Sequence, residues 1–331
     1  MRPQIRRLLL AAAVALGITP PAGAAEAGMR SMLVPGPEPI LVALFHPSSS
    51  PAKTLSMGPF RPTVAHTGAT DLPVRGLVLL SHGTSGSEIG HHDLAVRLAR
   101  EGYLVAALRH PGDNWQQGRG MAAESRYFTE RPRQASRVID ALLADPLWGP
   151  RIPRERIAAI GHSAGGYTVL ALAGGKADSA RIGAHCRATQ DDATFCQLGK
   201  AALDAPPSAI AAPQVDVSDA RVRAVIAMAP VGVVLDPASL GGIRVPVAIY
   251  TASLDTVLVP KYHADPLMRA MPQATHRRVE GAGHFAFMSQ PGHPLPSQSG
   301  DAADNPPGFD RQAFLDKLAE EIVAFLDKAL R

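Results

Sequence analysis

Short apolar segments rich in β-branched residues alternate with amphipathic segments over most of the chain. Segments of the first kind predict buried strands, and those of the second kind predict helices that cover them. The predicted strands are 76–83, 103–114, 156–161, 222–230, 245–255 and 275–281, and the predicted helices are 93–102, 131–145, 164–175, 261–271 and a long final helix. This alternation is typical of an α/β fold, in which a mostly parallel central sheet carries helices on both faces.

The final helix has a clear apolar stripe. Phe314, Leu318, Ile322, Phe325 and Ala329 recur at intervals of three or four residues. This spacing places them on one side of a helix, so they predict the face that packs against the sheet.

Two regions interrupt the alternation. Residues 176–221 are rich in Ala, Pro and Asp and carry both cysteines, and residues 289–310 are rich in Pro, Gly and Ser. Neither region has the apolar content for a core of its own. We therefore predict one domain over 25–331 with these two segments as insertions.

The first 24 residues have the pattern of a cleaved signal peptide. A basic head precedes an apolar segment at 8–18 and small residues at 22–24. The apolar segment is shorter than the roughly 20 residues of a membrane-spanning helix. We predict that the mature chain begins near Ala25, that it is periplasmic or secreted, and that it has no stable membrane anchor after cleavage.

Charge narrows the choice of partner. The formal charge of +4 includes three arginines of the predicted signal peptide, so the remainder carries about +1. No run of Lys or Arg with interleaved aromatic residues is present in the sequence. A nucleic-acid partner is not expected, and a small-molecule or polymer substrate is favoured.

A single serine lies between glycines where a predicted strand turns into a predicted helix. Residues 161–165 read Gly-His-Ser-Ala-Gly, the pattern G-x-S-x-G. In this context the pattern predicts a nucleophile elbow, because the glycines permit a tight turn that presents the Ser163 hydroxyl at the carboxyl edge of the sheet. The alternative is a glycine-rich turn with an incidental serine.

A serine nucleophile requires a histidine base and a carboxylate that orients the base. His284 and Asp255 each follow a predicted strand, in the chain order Ser, acid, His. For the acid, Asp236 and Asp265 are competing candidates. We favour Asp255 because it lies just past the carboxyl end of one predicted strand, and His284 lies just past the end of the next predicted strand.

Acyl transfer also requires hydrogen-bond donors for the developing oxyanion. One predicted donor is the backbone N–H of Ala164, which follows the nucleophile, and the other is the N–H of Thr84 in the loop after the first predicted strand. Gly83 and Gly86 would let that loop approach closely.

Four motifs together resemble the α/β-hydrolases: LVLLSHGTSGS, GHSAGGY, SLDTV and GAGHFAF. Within that family the chain is similar to the exported dienelactone-hydrolase-like branch, and also to platelet-activating-factor acetylhydrolases and bacterial cutinase-like esterases, over about residues 28–330. The resemblance implies a triad of Ser163, Asp255 and His284, with Thr84 and Ala164 forming the oxyanion hole. Dienelactone hydrolases proper use a cysteine nucleophile, whereas position 163 is serine.

Other candidate residues have structural interpretations. Cys186 and Cys196 are the only cysteines of a predicted exported chain, so a disulfide is expected, with a metal pair including His185 as the alternative. Residues 91–93, His-His-Asp, could bind a metal but read better as a helix start. His162 is interpreted as a packing residue.

Substrate preference is the least constrained feature. Met228, Trp115, Phe285, Phe287 and Met288 are candidates either for an acyl pocket or for ordinary core. The polar, Pro-rich insertions cannot supply a wide apolar groove, so short acyl esters, small soluble esters or lactones are favoured.

The combined prediction is a serine esterase that acts through an acyl-enzyme on a small-molecule ester and needs no cofactor or metal. A serine peptidase, or a lipase or polyester hydrolase of the same fold, is an alternative. A non-catalytic binding protein would be expected to lack part of the triad.

Overall fold

The computed structural model describes residues 25–118, 121, 126–198 and 215–331. The predicted signal peptide and residues 199–214 of the first predicted insertion lie outside the described residues.

A ten-stranded sheet forms the centre of the described structure, with spatial order β10-β9-β8-β7-β5-β6-β2-β1-β4-β3. Strands β5 to β10 pair in parallel, whereas β2 pairs antiparallel with both β1 and β6. The strands are β1 (Glu26–Val34), β2 (Ile40–Ser48), β3 (Lys53–Thr54), β4 (Thr63–His66), β5 (Gly76–Ser81), β6 (Tyr103–Leu108), β7 (Ile157–His162), β8 (Ala224–Met228), β9 (Val247–Ala252) and β10 (Thr275–Val279). A separate hairpin is formed by β11 (Pro296–Ser297) and β12 (Gly300–Asp301).

Helices cover both faces of this sheet. They are α1 (His92–Arg100), α2 (Tyr127–Ala144), α3 (Ala164–Leu172), α4 (Ala180–Ala188), α5 (Ala193–Leu198), α6 (Pro237–Leu240), α7 (Ala264–Ala270) and α8 (Arg311–Ala329). One apolar core lies under α2, α3 and α7, and a second lies under α1 and α8. The mostly parallel sheet with helices on both faces confirms the predicted fold class.

Every strand and helix predicted after residue 75 is present, with ends that differ by a few residues. The largest difference is at β6, which was expected to continue to residue 114 and ends at Leu108. The four strands before residue 76 were not predicted. In β1 the side chains of Arg30 and Met32 are partly buried and Leu33 is 63% exposed, so neither a continuous apolar run nor a clean alternation marks it.

The buried stripe of α8 is rotated from the predicted one. Its buried apolar residues are Leu315, Leu318, Ala319, Ile322 and Leu326. Three of the predicted positions, Phe314, Phe325 and Ala329, lie at the edges of the stripe and are partly buried. All five predicted positions therefore pack against the core, with the outer three only partly buried.

The first predicted insertion contributes to the main core. Helices α4 and α5 are joined by the Cys186–Cys196 disulfide, as the two cysteines predicted. Ile182 and Phe195 are buried in the core under α2, α3 and α7. The segment thus packs against the sheet domain through a few apolar side chains, and the disulfide joins its two helices to each other.

No helix among the described residues combines the length and apolar character needed to cross a bilayer.

Candidate active site

The predicted functional residues gather at one edge of the sheet. Thr84, Ser163, Asp255 and His284 follow the carboxyl ends of β5, β7, β9 and β10. Because these strands are parallel, their carboxyl ends meet at the same edge. In open α/β sheets this edge is where ligands usually bind.

Ser163 occupies a strained turn between β7 and α3. Its backbone has φ 58° and ψ −119°, a conformation that non-glycine residues rarely adopt. The turn is held by two main-chain bonds, from Ser163 N–H to Met228 O at 2.9 Å and from Val231 N–H to Ser163 O at 3.2 Å. The backbone strain of this serine is the feature expected of a nucleophile elbow.

The two glycines of the motif are required by space. A Cβ on Gly161 would lie 2.0 Å from the carbonyl oxygen of Gly165, and a Cβ on Gly165 would lie 2.0 Å from the carbonyl oxygen of Ser81. Both obstacles are backbone atoms, which cannot rotate away. The tight turn at Ser163 therefore depends on glycine at both positions.

His284 is hydrogen-bonded to Asp255. Its Nδ1–H donates to Asp255 Oδ2 at 2.7 Å, and both side chains are buried. Asp255 Oδ1 in turn accepts the N–H groups of Val257 and Leu258, each at 2.8 Å. The Asp255 carboxylate is thereby held by its own loop and points at His284 Nδ1. His284 Nε2 takes no part in this hydrogen bond.

The competing carboxylates have other partners. Asp236 caps α6, where Oδ1 accepts the N–H of Ala238 at 3.2 Å. Asp265 lies in the first turn of α7 and interacts electrostatically with His276. Of the three candidates, Asp255 is the one whose hydrogen bond to His284 the structure records.

The loop that carries Thr84 lies directly against Ser163. A Cβ on Gly83 would lie 3.1 Å from Ser163 Cβ and 3.6 Å from its Oγ. Ser85, which follows Thr84, has φ 55° and donates its N–H to Asp113 Oδ1 at 2.8 Å. This contact agrees with the prediction that a glycine at position 83 lets the loop approach Ser163 closely.

Gly86 completes a tight turn in the same loop. Its N–H donates to Gly83 O at 3.1 Å, and a Cβ on it would meet the ring of His82 at 2.9 Å. Trp115 donates its N–H to Gly86 O at 3.0 Å. The loop that carries Thr84 is therefore also held by the main chain of Trp115.

His162 does more than pack. Its Nε2–H donates to the carbonyl oxygen of His284 at 2.9 Å, and the two rings lie 4.8 Å apart. Burial, assisted by the nearby His284 and His91, holds the pKa of His162 well below its ordinary value. The neutral imidazole thus fixes the main chain of His284.

A second buried cluster lies beside the Asp255 loop. Asp192, which precedes α5, accepts Nε2–H bonds from His185 at 2.8 Å and from His263 at 3.0 Å, while its other oxygen accepts the N–H of Val259 at 3.3 Å. Burial lowers the pKa of His263. Burial would raise the pKa of Asp192, but the hydrogen bonds from the two histidines outweigh it and hold that pKa below its ordinary value.

The metal interpretations of the sequence gain no support. His185 contacts Asp192 and the ring of Tyr262, while both cysteines are in the disulfide. Helix α1 begins at His92 with Asp93 in its first turn, as expected of a helix start. Among the described residues, no group of three or more His, Cys, Asp or Glu side chains is arranged to hold a metal.

The candidates for an acyl pocket divide into three groups. Met228 and Phe287 are fully buried core residues. Phe285 and Met288 are partly buried near His284. Trp115 is 59% exposed, so it belongs to neither a core nor an enclosed pocket, and its ring lies under the Arg109 guanidinium at 5.5 Å.

Three residues near the site were not identified from the sequence. Arg131 and Asp113 form a fully buried ion pair, and the Tyr127 hydroxyl donates to Asp113 Oδ2 at 2.8 Å. The sequence contained one indication of this pair. Arg131 lies one turn before Ala135 on the buried face of α2, and a buried charge needs a partner.

Comparisons with known proteins find similar solved structures. No protein-family model matches the chain, and no curated protein matches it. A ferulic acid esterase from Streptomyces cinnamoneus is 18% identical, with a TM-score of 0.59 over 95% of this chain and 92% of that one.

Two further structures are a puromycin-hydrolysing peptidase of Mycobacterium tuberculosis and a puromycin hydrolase. They are 14% and 16% identical, with TM-scores of 0.52 and 0.54 over 91% and 94% of this chain. The chain spans only 39% and 40% of their lengths. At these low identities the similarity concerns the fold alone. Together with the observed sheet topology, it shows that the chain has the α/β-hydrolase fold.

Proposed function

We propose that the chain is an exported serine hydrolase that cleaves carboxylic esters through an acyl-enzyme. The observation that carries this proposal is the strained Ser163 at the turn from β7 to α3, at the same sheet edge as the hydrogen-bonded Asp255–His284 pair. Backbone strain of this kind persists only where the surrounding structure enforces it, and it concentrates at functional sites.

Each residue has a defined task in the proposed reaction. Ser163 Oγ attacks the ester carbonyl carbon while His284 Nε2 accepts its proton, and Asp255 holds the imidazole in the tautomer that leaves Nε2 unprotonated beforehand. The N–H groups of Thr84 and Ala164 stabilise the oxyanion. His284 then returns the proton to the departing alcohol, and a water molecule activated by His284 releases the acid in a second, equivalent cycle.

Burial of the reacting groups and the polar insertions support small substrates. Ser163 is 8% exposed and His284 is 6% exposed, so both groups are largely covered by the protein. We therefore propose short-chain or small soluble esters or lactones as the substrate class. The dienelactone-hydrolase-like or platelet-activating-factor-acetylhydrolase-like branch is the proposed affiliation within the fold.

Export is part of the proposal. The Cys186–Cys196 disulfide supports it, because disulfides persist in oxidising compartments such as the periplasm. The predicted signal peptide would direct the chain to export. An intact-mass measurement of the mature protein tests this proposal by locating its first residue, which we expect near Ala25.

A fluorophosphonate probe tests the nucleophile. We expect the wild-type protein to be labelled and Ser163→Ala to lose both labelling and ester turnover without unfolding. The control is Ser239→Ala, which removes a hydroxyl on α6 whose partners are Lys176 and Asp236. Labelling of the Ser163→Ala protein would refute the assignment.

Matched substrates then separate the alternatives. A p-nitrophenyl ester series should show maximal turnover at short acyl chains, and the corresponding p-nitroanilides should be cleaved much more slowly. Faster anilide cleavage would favour a peptidase, the activity that the name of one structural neighbour reports for that protein. A maximum at palmitate with activation at an oil–water interface would favour a lipase.

A further inference from the structure

The guanidinium of Arg131 links three elements around the candidate site. Nη1 donates to Asp113 Oδ2 at 2.6 Å, in the turn after β6. Nη2 donates to the hydroxyl of Ser81 at 3.3 Å and to the carbonyl oxygen of His82, at the end of β5. Nε donates to Thr168 Oγ1 at 3.1 Å, on α3. One buried side chain therefore ties the predicted oxyanion loop to the helix that follows the nucleophile.

The carboxylate of the pair fixes the other side of that loop. Asp113 Oδ1 accepts the N–H of Ser85, and Oδ2 accepts the hydroxyl of Tyr127, both at 2.8 Å. The Tyr127 hydroxyl also lies 3.2 Å from Thr84 Oγ1. Thr84 is thus held between the peptide carbonyl of His82, bound by Arg131, and the peptide N–H of Ser85, bound by Asp113.

The second predicted oxyanion donor is reached through α3. Thr168 Oγ1 accepts from Arg131 and donates to the carbonyl oxygen of Ala164 at 2.9 Å. The side chains of Tyr127 and Met121 form a small apolar cluster with Ala164. The same buried network therefore supports the backbone of both predicted donors.

We infer that the Arg131–Asp113 ion pair is a positioning device that sets the separation and direction of the Thr84 and Ala164 N–H groups. The inference rests on the function proposed above, since it assigns the pair a task in oxyanion stabilisation. Both charges are fully buried, and such a pair commonly adds little to stability compared with apolar residues of the same volume. Beyond the ion pair itself, its five bonds reach the residues on either side of Thr84, the helix that follows Ser163 and the first residue of α2.

Arg131→Lys tests the inference because lysine keeps the charge but cannot donate in three directions from one plane. Loss of one oxyanion donor typically lowers kcat by about 10²–10³-fold, so misplacement of both should lower it by about 10–100-fold. KM should stay within about threefold, and affinity for a trifluoromethyl ketone, which forms an oxyanion at the serine, should fall in parallel with kcat/KM. The pH profile of kcat should keep its shape because the Asp255–His284 pair is untouched.

Arg221→Lys is the matched control. Arg221 also anchors α2, through Asp140, and is paired with Asp219, but its recorded bonds do not reach the Thr84 loop. We expect wild-type kcat, KM and inhibitor affinity for this variant.

A second pair of variants keeps the test decisive should Arg131→Lys fail to fold. Thr168→Val removes the hydroxyl that links Arg131 to Ala164 while keeping the side-chain shape, and we expect kcat to fall about 5–20-fold with KM unchanged. Thr168→Ser restores the hydroxyl and should restore kcat.

Distinct results separate the two levels of the proposal. A wild-type protein that neither labels with fluorophosphonate nor hydrolyses esters would refute the proposed function. An active wild type with unchanged kcat and inhibitor affinity in Thr168→Val would overturn the positioning role alone, as would a loss in Arg131→Lys that is fully accounted for by a smaller folded fraction.

Discussion

Two adjacent aspartates offer a sharp test of the buried cluster beside the Asp255 loop. Asp192 is fully buried and accepts three hydrogen bonds, whereas Asp191 is exposed and pairs with Lys261 and Tyr262. The changes compared are Asp192→Asn and Asp191→Asn, which alter the same functional group one residue apart.

The structure sets the expected loss for Asp192→Asn. His263 Nδ1 accepts the N–H of Gly232, so its Nε2 carries the proton and must donate to position 192. An asparagine amide cannot accept from His263, His185 and the Val259 N–H together, so at least one buried donor loses its acceptor. An unsatisfied buried donor costs about 1–3 kcal/mol, and loss of the charge-assisted bonds brings the total to about 3–5 kcal/mol.

Urea and thermal unfolding measure this loss. For a chain of this size about 1 kcal/mol corresponds to about 2 °C, so Asp192→Asn should lower the midpoint by about 6–10 °C at pH 7. The Asp192 pKa lies below its ordinary value of 3.8 in the folded protein, so its contribution is complete above that pH and is lost as the pH falls through the folded pKa. The difference from wild type should therefore narrow below about pH 4.

Asp191→Asn should leave the midpoint close to that of the wild type because solvent screens its partners. Equal losses in the two variants, or a wild-type midpoint for Asp192→Asn at pH 7, would refute the reasoning.

Three further outcomes are expected. Asp255→Asn should lower ester turnover by about 10³–10⁴-fold with little loss of fold, whereas Asp236→Asn should leave both stability and kcat close to wild type, because asparagine is an equally good N-cap; steady-state kinetics would contradict this if the second variant were the less active. Replacing Cys186 and Cys196 together by Ser should lower the free energy of unfolding in urea by about 2–3 kcal/mol, and an unchanged midpoint would argue against a structural disulfide. Burial lowers the pKa of His91 from 6.5 to about 4, so the folded state prefers its neutral form, and stability should be full above pH 6.5 and decline by up to about 1.4 kcal/mol per pH unit towards pH 4; His91→Gln should flatten that decline in a urea titration across pH.

Most of the parallel part of the sheet could be predicted because its inner strands are buried on both faces, whereas the outermost strand β10 is largely exposed. In β5, β6, β7 and β9 every residue is buried, so the sequence shows a continuous apolar run between turn signals. The strand β1 lacks this property, since it mixes buried Met29 with partly buried Arg30 and exposed Leu33. In β2, by contrast, eight of the nine residues are buried, and the apolar run at 40–45 was a signal that the prediction missed.

The candidate site divides in the same way. Ser163, Asp255 and His284 could be proposed from the sequence because each follows the carboxyl end of a predicted strand, and parallel strands bring those ends together. Arg131 and Asp113 could not be paired from the sequence, since they are joined only when α2 packs beside the turn after β6. Asp192 was not identified because its segment was interpreted as a polar insertion, and one of the two histidines that bind it, His263, lies 71 residues further along the chain.

The two tryptophans of the chain occupy opposite environments, which makes them separate optical reporters. Trp148 is 3% exposed and packs against the His46 ring, so its emission should lie at short wavelength and shift to the red when the protein unfolds. Trp115 is 59% exposed and hydrogen-bonded to Gly86 in the Thr84 loop, so its emission should be quenched by acrylamide in the native state. With Trp115 replaced by Phe, intrinsic fluorescence follows the core alone, and with Trp148 replaced it follows the loop.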